Sequence, residues 1–217
     1  MAGVPRSEGG LYRKRSDFSG TVEPLLETDG RVRPDGYSPD GKWLVYGERN
    51  EGQWDLWALP LQEDGEPQPL AQSQFAERDA TLSPDGRYLA YDSNESGRSE
   101  VYVTQFPDLG RKWQISTGGG SRSLWSSDGR EIFYLEYEDY LSKIMTARVQ
   151  TSPDFKSSVP ELLFHVPTMD GPERHFGVSP DGERIVMLRD VNTVSGRVHF
   201  NVVLNWFEEL KRLVPAR

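Results

Sequence analysis

One phrase recurs four times along the chain and limits its fold more than any other feature. Ser38-Pro39-Asp40-Gly41 leads into Lys42-Trp43-Leu44-Val45-Tyr46, and Ser83-Pro84-Asp85-Gly86 into Arg87-Tyr88-Leu89-Ala90-Tyr91. Ser126-Ser127-Asp128-Gly129 and Ser179-Pro180-Asp181-Gly182 repeat the pattern before Ile132-Phe133-Tyr134 and Ile185-Val186-Met187. Pro presets φ at the first central turn position, Asp hydrogen-bonds its own turn, and Gly accepts the positive φ that closes it. The residues that follow are β-branched, aliphatic or aromatic, so each copy reads as a tight hairpin between two strands. The serines stand 45, 43 and 53 residues apart, which is the period of a β-propeller blade.

Composition agrees with that reading. The 217 residues include 21 Gly and 15 Pro, which fall between apolar runs as turn punctuation does in an all-β chain of short strands. A formal charge of -9 without a Lys/Arg cluster excludes a nucleic-acid surface and an anionic membrane surface. With no cysteine, neither disulfides nor thiolate chemistry is available. Met1 to Gly10 lacks an apolar h-region and no stretch approaches about 18 apolar residues, so neither a signal peptide nor a membrane span is expected.

Taken in order, residues 1–10 are expected to be disordered, residues 11–206 to form the propeller repeats, and residues 207–217 a helix and tail. Leu11 to Arg15 and Val22 to Leu26 form two strands across Asp17-Phe18-Ser19-Gly20, like the outer pair of a blade that lacks its inner pair. Four blades of about four strands follow. The third carries a longer loop, Thr151 to Pro160, and the fourth lacks an outer strand, which Pro24-Leu25-Leu26 is placed to supply if the ring closes. Phe207, Leu210 and Leu213/Val214 repeat at helical spacing before Pro215, predicting a short amphipathic helix. The fold class is all-β, a β-propeller of four blades either closed or partial, with a short C-terminal helix. Open blade edges would invite a partner or a second copy of the chain, giving a homodimer.

Chemistry-bearing patterns are few. His165, His175 and His199 share no metal-ligand spacing, and Asp40, Asp85, Asp128 and Asp181 lack the run of oxygen donors that a calcium loop needs. These aspartates, with Gly41, Gly86, Gly129 and Gly182, are assigned to turns. Gly-x-Ser-x-Gly is absent, and Gly118-Gly119-Gly120 lacks the Lys and the helix of a phosphate loop. No metal, cofactor or catalytic group is therefore assigned. Topology places any binding site opposite the Ser-Pro-Asp-Gly hairpins, where loops enter the inner strands. The positional candidates there are Glu77, Arg78, Asp92, Ser93, Arg122, Arg174 and His175. Glu136 to Tyr140 adds an acidic, tyrosine-rich loop, read as a solvated turn or as a contact patch.

The Ser-Pro-Asp-Gly hairpins, each followed by an apolar strand, resemble the TolB-like or WD-like β-propeller repeats of bacteria over nearly the whole chain. Leu11-Tyr12-Arg13-Lys14, Glu23-Pro24-Leu25-Leu26 and Val202 to Lys211 further resemble the C-terminal propeller of bacterial transmembrane serine/threonine protein kinases. The sequence departs from that family in having no kinase motif, no membrane helix and fewer blades. What the resemblance implies is a non-catalytic propeller that senses or binds a protein or peptide, on the extracytoplasmic side if it belongs to such a kinase and in the cytoplasm otherwise. The alternatives are a substrate-gating or catalytic propeller of a hydrolase or lyase, and a fragment of a larger kinase-type protein.

Overall fold

The computed structural model describes residues 9–62, 65–138, 141–167, 176–189 and 199–203. Its strands fall into the sheets that the repeats predict. A hairpin of β1 (Gly9–Arg13) and β2 (Glu23–Thr28) comes first. Blade one is β3 (Arg31–Tyr37), β4 (Trp43–Asn50), β5 (Gln53–Pro60) and β6 (Gln68–Ala71), each paired antiparallel with the next. Blade two repeats this order with β7 (Glu77–Leu82), β8 (Tyr88–Ser93), β9 (Glu100–Gln105) and β10 (Lys112–Gln114). Blade three holds β11 (Ser121–Trp125), β12 (Glu131–Glu136), β13 (Leu141–Gln150), β14 (Lys156–Ser157) and β15 (Glu161–Pro167), the last two both pairing with β13. Blade four shows β16 (Phe176–Val178), β17 (Ile185–Arg189) and β18 (His199–Val203). The sheets do not close into a ring among the described residues, so the architecture is that of a partial propeller. The expected C-terminal helix, and the Arg174 and His175 loop, lie outside the described residues.

Each Ser-x-Asp-Gly copy folds into the same clasp. Ser38 Oγ donates to Asp40 Oδ1 (2.6 Å), the Lys42 N–H donates to that same oxygen (3.1 Å), and the Trp43 N–H donates back to Ser38 Oγ (3.0 Å). Ser83 with Asp85, Ser126 with Asp128 and Ser179 with Asp181 repeat these contacts. The serine hydroxyl bond foremost holds the Asp40, Asp128 and Asp181 carboxyls below their usual range. Gly41, Gly86, Gly129 and Gly182 all take φ near +70° (71, 70, 70 and 73°), the left-handed conformation that closes the turn.

Packing between blades follows from strict alternation along each second strand. In β4, Leu44 and Tyr46 face the first hairpin, while Val45 faces blade two. In β8, Leu89 and Tyr91 face blade one, and Tyr88 and Ala90 face blade three. In β12, Ile132 and Tyr134 face blade two, and Phe133 faces blade four. The hairpin β1–β2 therefore covers blade one through Leu11, Leu25 and Leu26, in the place of a preceding blade, and within the described residues its strands pair only with each other. That position matches an outer pair without an inner one; the described residues show no strand of it completing blade four.

At the hairpin end, aromatic rings seal the blade contacts. Trp43 meets Phe106 edge-on at 6.0 Å. The insertion in blade three is more than a loop, because it delivers Phe155 against Tyr88 and Trp113 of blade two (5.1 and 4.7 Å). Glu131 stands where Trp43 and Tyr88 stand in blades one and two, and a cavity of about 110 Å³ remains there between blades three and four. Among the described residues nothing covers the far side of blade four: Val186 is 45% exposed, whereas its counterparts Val45, Ala90 and Phe133 are 1%, 0% and 4% exposed.

A Gly86→Val variant should lower the stability of the fold by about 1–3 kcal/mol in urea titration, because a β-branched residue must occupy positive φ. A Cβ there would also press Pro39 Cδ at 3.2 Å. Gly36→Ala, where a Cβ meets nothing within 4 Å, should unfold within about 0.5 kcal/mol of the parent. Equal midpoints for Gly86→Val and the parent would refute the clasp geometry.

Candidate functional site

The ends of the inner strands remote from the clasps converge on one cleft of about 190 Å³. Blade one supplies Arg33 and Trp54, blade two Arg78, Asp79, Asp92 and Ser99, and blade three Ser121, Arg122 and Tyr137. The way they arrive is local and repeated. The inner strands of blades one, two and three each carry a register shift, between Pro34/Gly36, Arg78/Thr81 and Ser121/Leu124, which bends the strand locally. In blades two and three the shifted residues, Asp79 and Arg122, both sit at φ 57°. A left-handed non-glycine residue costs on the order of 1 kcal/mol, and such strain clusters at binding sites.

Carboxylates tie each blade to the next at this end. Asp35 of blade one accepts the Ala80 N–H of blade two (3.4 Å), and Asp92 of blade two accepts the Arg122 N–H of blade three with both oxygens (2.9 and 3.1 Å). Arg33 bridges Asp35 and Asp79 at 3.1 and 2.9 Å. Burial pushes the Asp35 carboxyl up to about 6, against the pull of Arg33 and with the push of Asp79. Burial also raises Asp92 well above the usual carboxylate range, and the charge of Asp79 adds to it. Two guanidinium groups lie over aromatic faces, Arg33 at 5.3 Å from Trp54 and Arg122 at 5.4 Å from Tyr137. Arg78 is exposed, and its side chain has no hydrogen bond or ion pair with a described residue.

Of the sequence candidates, Arg78, Asp92 and Arg122 are therefore brought together. Glu77 and Ser93 are not: both are buried, Glu77 taking the Ser73 hydroxyl (2.6 Å) and Ser93 the Glu95 N–H (3.3 Å). Arg174 and His175 fall outside the described residues. Arg33, Asp35, Trp54 and Asp79 escaped the sequence reading, and Tyr137 entered it only within the Glu136 to Tyr140 loop. A signal for some of them was present. Five residues before each repeat serine stand Arg33, Arg78, Ser121 and Arg174, and four before it stand Pro34, Asp79, Arg122 and His175. Aligning the repeats on their serines marks these columns as the axial ones. Among the described residues no three His, Cys, Asp or Glu side chains are grouped to hold a metal ion, and no helix is long and apolar enough to cross a membrane.

Raised carboxyls make stability fall with pH. Asp35 binds its proton more tightly folded (about 6) than unfolded (3.8), so its contribution is present below about pH 4 and lost as pH rises through 6. Asp35→Asn cannot titrate. Its stability relative to the parent should therefore improve by about 2–3 kcal/mol between pH 4 and pH 7.5 in urea titrations. A pH-independent difference would contradict the burial of that charge.

No protein-family model matches the sequence, and no curated protein does. Among solved structures, TolB from Acinetobacter baumannii superposes with a TM-score of 0.67 at 19% identity, covering 90% of this chain and 46% of that one. The putative TolB from Agrobacterium tumefaciens gives 0.62 at 18% identity, covering 76% and 59%. An oligogalacturonate lyase in complex with manganese gives 0.60 at 14% identity, covering 90% and 54%. The likeness is one of fold: this chain is folded as part of a TolB-like β-propeller, and it spans less than two thirds of each of these proteins.

Proposed function

We propose that the chain is a non-catalytic binding or sensory module that receives a protein or peptide segment in the cleft opposite the clasps. The observation that carries this reading is the convergence of strained, charged and aromatic residues from three successive blades on one opening, with Asp79 and Arg122 both held at φ 57°. A strain repeated at the same position in neighbouring blades, and accompanied by buried carboxyls, is a cost that folding alone does not call for. The cleft is lined from three successive blades, and its arginines and aromatic rings are the side chains that dominate protein recognition. The likeness of both chain ends to the propellers of membrane kinases supports a sensory role, with the propeller as the ligand-reading part of a longer arrangement.

Panning a random 12-residue phage-displayed peptide library on the purified chain tests this. Enriched peptides should lose at least tenfold in affinity for Ser99→Trp, which fills the cleft, and keep their affinity for Lys42→Trp on the clasp face. Enrichment of peptides indifferent to Ser99→Trp, or no enrichment, would overturn the assignment of the cleft as the binding site.

A further inference from the structure

We infer that the cleft selects an acidic peptide segment, with Arg33, Arg78 and Arg122 reading its carboxylates from three successive blades. The inference rests on the proposed binding role of this opening and adds the chemistry of what enters it. The whole chain carries a formal charge of -9, so its surface repels anions in general. Among the residues lining the cleft three arginines stand against Asp79 and Asp92, with Asp35 behind Arg33, so the surplus of carboxylates found over the whole chain is absent there. The buried Asp92 holds its proton well above the usual carboxylate range, which weights the opening further toward positive charge.

The arginines differ in how they are held, and the difference suits recognition. Arg33 and Arg122 lie over the faces of Trp54 and Tyr137, and Arg33 is also fixed by Asp35 and Asp79, so both outer guanidinium groups are ordered before a ligand arrives. A guanidinium carries five N–H donors in its plane, so stacking does not consume them, and Asp35 and Asp79 meet Arg33 on its Nε and Nη2 side. Arg78 lies between them in chain order and blade order, exposed, with no ion pair to a described residue. A row of cationic forks across three blades, the outer two fixed and the middle one exposed, matches several carboxylates along an extended chain better than a single compact anion. The same arrangement disfavours a lysine- or arginine-bearing segment, which would meet the arginines first.

Binding of three hexapeptides (hexaglutamate, hexaglutamine and hexalysine) and of inorganic phosphate, followed by amide chemical shifts and isothermal titration of the full chain, tests the inference. Hexaglutamate should bind and move the amides of Arg78, Ser99 and Arg122, with hexaglutamine at least tenfold weaker and hexalysine undetectable. Arg78→Glu should weaken hexaglutamate binding at least tenfold, and Arg78→Lys by a smaller factor, since the charge is kept and the fork lost. Arg78 is exposed, so neither variant disturbs the core, and an unchanged spectrum away from the cleft checks this. Shifts in the cleft with hexaglutamine or hexalysine equal to those with hexaglutamate would overturn the acidic selectivity while leaving the binding face intact. Phosphate binding as tightly as hexaglutamate would overturn the peptide in favour of a simple anion. Hexaglutamate binding that moves only amides outside the cleft, or no binding at all, would overturn both readings.

Discussion

The structure depends on each sheet being buried on both faces by its neighbours, and that constraint is met by alternation along one strand per blade. Leu89 and Tyr91 look one way and Tyr88 and Ala90 the other, so β8 is buried from end to end. Fully burying a side chain of this kind is worth about 1.5–3 kcal/mol, and a single blade standing alone would forfeit half of those contacts. The Ser-Asp clasp matters because it sets the register in which the alternation begins. A slip of one residue would exchange the two faces and oppose each blade to the wrong neighbour. The same rule explains the first hairpin, which buries Leu44 and Tyr46 of blade one although it is only two strands wide.

At the axis, apolar packing gives way to charge. Asp35 and Asp92 accept backbone N–H groups from the next blade, an arrangement that joins sheets where no side chain interdigitates. Holding these carboxyls in the interior raises their proton affinity, and the register shifts at Asp79 and Arg122 place them in a conformation that other residues of their strands avoid. The clasp end of the molecule shows the opposite character: its aspartates are exposed, hydrogen-bonded and acidic, as expected of turns that serve only the fold. Two ends of the same strands thus carry opposite electrostatic signatures, and the strained end holds the candidate site.

Much of the fold was legible because Pro, Asp and Gly at fixed offsets dictate turn geometry locally, and because alternation in Leu44 to Tyr46 and its repeats dictates which sheet face meets which neighbour. The role of the insertion was not legible. Phe155 reads as one aromatic in a polar loop, and its contact with Tyr88 and Trp113 depends on how blades two and three are juxtaposed. The site was half legible for a related reason. Position relative to the hairpins indicated Arg78, Asp92 and Arg122, but it also indicated Glu77 and Ser93, whose side chains the alternation turns into the interior. Arg33 and Trp54 carry no motif, and only the pairing of blades one and two brings them to Asp79.

The central claim, that mutual coverage of blade faces holds the fold together, is tested most directly by native-state hydrogen exchange. The account predicts that amides of β8 and β12, in sheets covered on both sides, exchange only through global unfolding. Amides of β17, beneath the face marked by Val186 that no described residue covers, should exchange through local opening at a distinctly lower free energy. Equal protection in β17 and β8 would contradict the account, because it would mean that a blade with no neighbour among the described residues on its second face is held as firmly as one covered on both.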